Sequence, residues 1–191
     1  GMGRIGQAIA RRAAGFRMPV IYYNRSRLDS ATEADCKARY VDRDALLREA
    51  DFLVLSVPMN AQTRHAIGAA ELAVMKRDAI LVNIARGGVV DDTALIAALK
   101  EKRIAGAGLD VFEHEPNIPA EMLALDNVVL TPHIASASLH TRRAMASLAV
   151  DNLIAALGCG AHAGRPPNVL NPEALRTSAR AQASYTFNPE S

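Results

Sequence analysis

Three short segments of this 191-residue sequence carry side chains that could bind an acid and move a proton. Each segment follows a run of apolar residues, and the three are Asn83–Gly88, Gly108–Pro116 and Thr131–Ser136. The candidate residues in them are Arg86, Glu115 and His133. Arginine presents a planar fork that matches a carboxylate, and a histidine near an acid can act in general acid–base catalysis. Taken singly, Arg86 could form a surface ion pair, Glu115 could be a loop acid before a proline, and His133 could be a residue at a helix start. Their occurrence together, at successive strand ends, argues against coincidence.

The elements that must position these residues alternate between strand and helix patterns. Short apolar runs predict strands at Val20–Tyr23, Phe52–Val57, Ala79–Ile84, Ile104–Leu109 and Val128–Leu130. Stretches with helical spacing lie between most of them, including one near Ile5–Ala13 and one over Thr93–Lys100 that is capped by Asp91 or Asp92. This alternation predicts a parallel sheet with both faces covered by helices. Ligands of such sheets bind at the carboxyl ends of the strands, where the three segments lie.

A glycine motif, G-x-G-x-x-G, opens the sequence at Gly1, Gly3 and Gly6. In dinucleotide-binding folds, these glycines allow a tight turn, a close approach of backbone to pyrophosphate, and close packing of the next helix. The motif is followed by a helix pattern and then a strand, as that context requires; the alternative is a glycine turn with no ligand. An arginine, an acid and a histidine beside a dinucleotide indicate hydride transfer coupled to proton transfer.

The residues after the first predicted strand, Val20–Tyr23, bear on the choice of dinucleotide. An acid that binds the adenosine ribose is expected there, but the sequence has Asn24, Arg25, Ser26 and Arg27. Asparagine does not repel a 2′-phosphate, and the arginines and serine can bind one, so the segment favours NADP over NAD. The alternative is a solvated basic loop, because surface arginines are common.

The composition excludes several other classes of protein. The 22 Lys+Arg and 20 Asp+Glu residues give a net charge of +2, which gives no reason to expect nucleic acid or an anionic membrane as a partner. No apolar run reaches the length of a membrane helix. Cys36 and Cys159 lie far apart, which predicts free thiols and a cytoplasmic protein. The cysteines and histidines show no metal-ligand spacing, so no metal site is predicted.

At these residues the sequence resembles the D-isomer-specific 2-hydroxyacid dehydrogenases. The resemblance runs from Gly1 to about Asn171 and rests on four motifs in order: GMGRIG, NIARGGVVD, GLDVFEHEP and TPHIAS. Two further segments, NRSR and VPMNAQTRH, are most similar to those of the NADPH-preferring glyoxylate/hydroxypyruvate reductases of that family.

The resemblance implies roles for the three candidate catalytic residues. His133 is expected to protonate the substrate carbonyl oxygen as hydride arrives, and to act as the base in reverse. Glu115 is expected to pair with His133 and to favour its protonated form. Arg86 is expected to bind the carboxylate of a small 2-keto acid and to polarise its carbonyl.

The resemblance also implies a set of dinucleotide contacts. The expected contacts are Gly1, Gly3, Arg4, Ile5 and Gly6 at the pyrophosphate, Asn24, Arg25 and Ser26 at the adenosine ribose, Val57, Pro58 and Thr63 on the adenine side and phosphates, Ile84, Ala85 and Arg86 at the nicotinamide half, Asp110 at the carboxamide, and His133, Ala135 and Ser136 in the last motif.

The expected fold is α/β, a Rossmann-like doubly wound parallel sheet whose first strand is missing from this sequence. We expect residues 1–135 to form the dinucleotide-binding domain and 172–191 to form a mobile tail. Between them, 136–171 are expected to form a long helix, Ser136–Leu157, and a segment that returns toward an absent substrate domain; the helix is expected to support a homodimer. The chain thus looks truncated at its N-terminus. Because strand 1 is central in the order 3-2-1-4-5-6, we expect this chain alone to be unstable or aggregation-prone, and inactive.

The expected function is reduction of a 2-keto acid such as glyoxylate or hydroxypyruvate with NADPH, which gives the D-2-hydroxy acid; NAD is a second possible cofactor. One alternative is an NAD-dependent dehydrogenase for another acid, such as phosphoglycerate, formate, lactate or a gluconate-type acid. Another is a non-catalytic protein that senses dinucleotides, like the corepressors of the same fold. A third is a shortened reading frame that encodes no working protein.

Overall fold

The computed structural model describes residues 1–173, and these form seven helices and six strands. In chain order the elements are α1 (Arg4–Gly15), β1 (Val20–Tyr22), α2 (Ser30–Cys36), β2 (Ala38–Tyr40), α3 (Arg43–Glu49), β3 (Phe52–Leu55), α4 (Ala69–Val74), β4 (Ile80–Asn83), α5 (Asp92–Lys100), β5 (Gly106–Leu109), α6 (Ala120–Leu123), β6 (Val128–Leu130) and α7 (Leu139–Ala156). The chain divides into two compact units, Gly1–Ala135 and Ser136–Ser191.

All strand pairs in the first unit are parallel, which confirms the predicted Rossmann-like α/β class. β1 pairs with β2, and β3, β4, β5 and β6 form a second sheet in that order. β6 has the predicted bounds, and the other predicted strands are shorter than their apolar runs. For example, β3 ends at Leu55, three residues before Pro58, which has no N–H to give to a strand neighbour. The sequence analysis missed β2, because its three residues include exposed Arg39 and show no apolar run.

A gap divides the sheet into these two parts. The edge of β1 away from β2 and the edge of β3 away from β4 both border a cavity of about 550 Å³, and neither edge has a strand partner among residues 1–173. The cavity is lined largely by apolar side chains of β1, β3 and α1, including Ile9, Ile21 and Leu53. In the usual strand order of this fold, the central strand occupies this position.

The main hydrophobic core packs against the four-stranded sheet. Its fully buried side chains include Leu81 of β4, Leu95 and Leu99 of α5, and Met122 of α6. Burying each such side chain stabilises the fold by about 1.5–3 kcal/mol. This packing fixes β3–β6, and therefore the loops that follow them, on a rigid support.

Two neighbouring aspartates at the start of α5 make different hydrogen bonds. The carboxylate of Asp91 accepts a hydrogen bond from Ala94 N at 3.0 Å and caps α5, so Asp91 is the cap among the two candidates. Asp92 instead accepts a bond from Glu113 N at 3.0 Å. It therefore joins α5 to the loop after β5.

The second unit contains α7, which begins at Leu139 after the cap residue Ser138, three residues later than predicted. Many of its apolar side chains are exposed, among them Leu139, Met145, Leu148 and Leu153. No helix within residues 1–173 is long and apolar enough to cross a membrane. Most of the predicted tail, 174–191, lies outside the described residues.

Candidate active site

The carboxyl ends of four strands meet in one row. Leu55, Asn83, Leu109 and Leu130 are paired residues across β3–β6. The segments that carry the three candidate catalytic residues therefore leave the sheet at the same edge. They border an open cleft of about 710 Å³, which is within the range of small-molecule sites. Its lining includes eight residues expected at the site: Ile5, Val57, Pro58, Ile84, Ala85, Arg86, Glu115 and His133.

His133 and Glu115 form a hydrogen-bonded pair on the cleft wall. Nδ1 of His133 lies 2.8 Å from Oε2 of Glu115, and the other carboxylate oxygen accepts a bond from Phe112 N at 2.9 Å. Burial raises the pKa of Glu115, but the bonds from His133 and Phe112 outweigh it and lower this pKa overall. Since an ionised carboxylate only accepts, Nδ1 carries the proton of the shared bond and Nε2 is left for a ligand.

His133 sits in an unusual backbone conformation that a neighbouring acid supports. Its φ is 53°, in the left-handed region that side chains seldom adopt. The buried carboxylate of Asp110 accepts bonds from Thr131 Oγ1 at 2.5 Å, Ile134 N at 2.9 Å and Ala135 N at 2.9 Å. Burial raises the pKa of Asp110, but these bonds together lower it overall. Asp110 thus organises the turn that carries His133.

Arg86 also lines the cleft, and no acid within residues 1–173 compensates its charge. Its guanidinium is exposed, donates to Ala85 O at 2.6 Å, and forms no ion pair with any residue of 1–173. The next residue must be glycine, since a Cβ at Gly87 would collide with the carbonyl of Phe112. The arginine can therefore pair with a carboxylate that enters the cleft.

The glycine loop is closely packed at Gly1 and Gly6 and open at Gly3. A Cβ at Gly6 would collide with the carbonyl of Gly1, and one at Gly1 would lie 2.8 Å from Val57 Cγ1. At Gly3, however, a Cβ would meet nothing within 4 Å, so space is open in front of the loop. The first turn of α1 has no side-chain cap and no acid. Its N–H groups can therefore bind a negatively charged group, and exposed Arg4 lies beside them.

The loop after β1 is tied to the glycine loop. Asn24 Oδ1 accepts a bond from Met2 N at 2.7 Å. Arg25 and Ser26 are exposed. Arg27 is not free, because its Nε and Nη2 each lie 2.8 Å from an oxygen of Glu33. Arg25 is therefore the arginine of this loop that is available to a 2′-phosphate.

The remaining expected residues lie at different distances from the cleft. Thr63 Oγ1 bonds to Pro58 O at 2.6 Å and braces the loop after β3 without lining the cleft. Ala135 lies in the turn that Asp110 holds, and Ser136 belongs to the second unit.

The sequence analysis missed residues that act through hydrogen bonds. Ser56 Oγ donates to Gly1 O at 2.7 Å, and Thr131 donates to Asp110. Glu113 lines the cleft and binds His65 and Arg64. The only signal for these was position, since Ser56 directly follows β3, and Thr131 and Glu113 lie within the motifs TPHIAS and GLDVFEHEP. Within residues 1–173, no three His, Cys, Asp or Glu side chains are grouped to hold a metal ion.

Comparisons with known proteins agree with this geometry. Residues 1–135 match the family described as D-isomer specific 2-hydroxyacid dehydrogenase, NAD binding domain. The chain is 53% identical over 178 residues to the glyoxylate reductase of Thermococcus litoralis, and the aligned region covers 93% of this chain and 52% of the relative. It is 55% identical over 179 residues to glyoxylate/hydroxypyruvate reductase B of Enterobacter agglomerans, covering 92% and 54%. The chain thus spans about half the length of these relatives.

A solved structure is similar as well. It is the NADPH-dependent glyoxylate/hydroxypyruvate reductase of Sinorhizobium meliloti in complex with NADP and malonate. The TM-score is 0.77 and the identity 39%, over 89% of this chain and 54% of the other.

Proposed function

This chain belongs to the D-isomer-specific 2-hydroxyacid dehydrogenase family, in its NAD-binding domain, and from that premise we propose that the whole protein reduces a small 2-keto acid. The proposed substrates are glyoxylate and hydroxypyruvate, and the product is the D-2-hydroxy acid. The observation that carries the proposal is the joint presence of unpaired Arg86 and the His133–Glu115 pair on one cleft. The names of the similar reductases support the choice of substrate.

In the proposed mechanism, Arg86 binds the substrate carboxylate and thereby turns the keto group toward His133. A reduced nicotinamide, when bound, supplies the hydride that adds to the carbonyl carbon. The proton on Nε2 of His133 passes to the carbonyl oxygen, so that hydride and proton together give the hydroxyl group. Glu115 holds Nδ1 and stabilises the charged ring before that transfer.

The residues of the glycine loop fit a dinucleotide. The open space at Gly3 and the uncapped first turn of α1 support binding of the pyrophosphate there. Ile84 and Ala85, at the floor of the cleft, support a nicotinamide half that lies beside His133. Asp110 is proposed to meet the carboxamide as well as to hold its turn.

We further propose that NADPH is the preferred cofactor. Asn24 carries no charge that would repel a 2′-phosphate, and exposed Arg25 can pair with one. The commitment of Arg27 to Glu33 favours the second candidate, an NAD-dependent dehydrogenase of this family, because it removes one cation from the loop.

We also propose that the whole protein is a homodimer and that it is located in the cytoplasm. Residues 136–171 are proposed to connect the dinucleotide-binding domain to a substrate domain. The exposed apolar side chains of α7 support a subunit contact. Cys36 and Cys159 are both free thiols, which supports a reducing compartment.

The test is a kinetic comparison of NADPH with NADH on the whole protein. Hydroxypyruvate and glyoxylate are the substrates, consumption of reduced nicotinamide is the readout, and chiral chromatography identifies the product. Faster turnover with NADPH and a D-product is the expected result. Turnover with NADH alone overturns the cofactor preference, and an L-product overturns the stereochemistry. Tight dinucleotide binding without turnover of any 2-keto acid overturns the reductase and leaves the binding protein.

A further inference from the structure

We propose that His65 and Glu113 form a positioning pair that keeps three loops of the cleft in register. The proposal rests on the proposed reductase function and adds to it two residues that no motif assigned to the chemistry. Both residues lie outside the Arg86, Glu115 and His133 set, and they act through those side chains rather than on the substrate.

A short hydrogen bond joins the two side chains, and the Glu113 carboxylate is partly buried. Nε2 of His65 lies 2.8 Å from Oε1 of Glu113, and the same oxygen accepts a bond from Arg64 Nη2 at 3.0 Å. A carboxylate that is paired with a guanidinium accepts hydrogen bonds, so His65 Nε2 is the donor. The side chain of Glu113 is 13% exposed and that of His65 is 37% exposed, so the pair is partly shielded from water and is stronger than a fully exposed ion pair.

Backbone bonds connect this pair to the loops on either side. His65 N donates to Gly88 O at 2.7 Å, and Nδ1 of the same residue lies 4.0 Å from Asp91 Oδ2. Glu113 N donates to Asp92 Oδ2 at 3.0 Å. His65 therefore joins the loop after β3, in which it lies, to the loop after β4 through its backbone N–H and to the loop after β5 through its ring.

Each of these loops brings one wall of the cleft. Pro58 lies in the first, Arg86 is two residues before Gly88 in the second, and Glu115 is two residues after Glu113 in the third. His65 adopts a φ of 48°, which costs energy that the surrounding bonds must offset. A displacement of about 1 Å in a catalytic side chain can slow an enzyme by about 100-fold. A hydrogen bond that holds these loops together is therefore expected to affect the rate.

The test compares His65→Leu, His65→Gln, Glu113→Gln and the double variant His65→Leu/Glu113→Gln in the whole protein. Neither leucine nor glutamine favours the left-handed backbone. A difference in kinetics between the two variants therefore reports the effect of the side-chain N–H donor, which glutamine has and leucine lacks. We expect His65→Leu to lower kcat about tenfold and to raise the KM of the keto acid about threefold, while the Kd of the dinucleotide changes by less than about twofold. His65→Gln recovers most of the loss, and the double variant is no worse than the worse single one, because the two residues act as a unit.

The matched control is Arg103→Leu, which breaks the exposed Arg103–Glu101 pair far from the cleft and leaves the kinetics unchanged. Hydrogen exchange of the Phe112 and Glu113 amides gives a readout that does not depend on turnover. Faster exchange at both in His65→Leu, with the kinetic changes above, supports the pair. Unchanged exchange, or faster exchange with kinetics like those of the control, overturns it. If the wild-type protein reduces no 2-keto acid, the proposed function fails on its own and exchange alone decides whether the tie exists.

Discussion

At the scale of single residues, the site depends on which atoms are already bonded and which are free. Glu115 uses one oxygen for Phe112 N and the other for His133 Nδ1, so it fixes the ring and leaves Nε2 for a ligand. Arg86 donates to Ala85 O but has no acidic partner within residues 1–173, so its charge is available to an incoming carboxylate. The contrast between a restrained histidine and an arginine without an acidic partner fits the proposed keto acid.

The charge of Glu115 is expected to matter more than its shape. Glu115→Gln keeps the size of the side chain but removes the charge that stabilises the imidazolium, so kcat should fall about 10- to 100-fold. Steady-state kinetics with the keto acid measure the loss. The control is Glu121→Gln on α6, a carboxylate outside the cleft; an unchanged kcat in Glu115→Gln would contradict the role.

The two arginines of the loop after β1 are expected to differ. Arg25→Ala should weaken binding of 2′,5′-ADP about tenfold and leave AMP nearly unaffected, because a single charge-assisted contact is lost. Arg27→Ala should weaken it less, since Glu33 already holds that side chain. Calorimetric titration of the whole protein with both nucleotides measures this, and equal losses in the two variants would refute the distinction.

Glu33 also predicts how stability responds to acid. Hydrogen bonds from Arg27 and Tyr22 lower the pKa of Glu33 from 4.5 to about 2. Since the ionised form is the bonded one, its contribution to stability is present above about pH 4.5 and is lost as the pH falls toward 2. Urea unfolding of wild type and Glu33→Gln should therefore show a stability difference at pH 6 that shrinks by pH 3. A difference that stays constant would contradict the assignment.

At the scale of elements, the loops after β4 and β5 pack so closely that only glycine fits between them. Gly87→Ala would push against the carbonyl of Phe112 and displace the segment that bears Glu115. We expect a loss of about 2–3 kcal/mol in the free energy of unfolding, together with lower activity.

Gly15→Ala, at the end of α1, is the matched control. A Cβ there meets nothing within 4 Å, so the change should leave stability equal or raise it by up to about 1 kcal/mol. Chemical unfolding of both variants gives the comparison. Equal stability of Gly87→Ala and wild type would show that the two loops can separate.

The sequence predicted the long strands and the motifs well, and the short connections poorly. β4 and β5 follow from apolar runs, and the place of Asp91 and Asp92 before a helix pattern narrows the cap of α5 to these two residues. β2 has no apolar run, because the middle one of its three residues is an exposed arginine, and it forms by pairing with β1. The Asp110–Thr131 and Glu113–His65 bonds join residues 21 and 48 positions apart, which no local pattern encodes.

At the scale of the whole molecule, the sheet is in two parts with an apolar cavity between them. Unpaired strand edges and apolar walls favour association with other chains. The 191-residue chain alone is therefore expected to unfold without one sharp transition and to bind apolar dyes. Circular dichroism during heating, on a sample shown to be monomeric, tests this. A cooperative transition in that sample would contradict this expectation, because it would show that the gap in the sheet lowers the free energy of unfolding only slightly.

The division of the sheet also separates the two tasks of the proposed function. The glycine loop and the loop after β1, which are proposed to bind the adenosine half of a dinucleotide, adjoin β1, whereas Arg86, Glu115 and His133 follow β4, β5 and β6. We therefore expect that an exchange of residues 20–42 between relatives changes the preferred coenzyme and leaves the proposed reaction the same. For protein engineers, this stretch is a first choice for a graft.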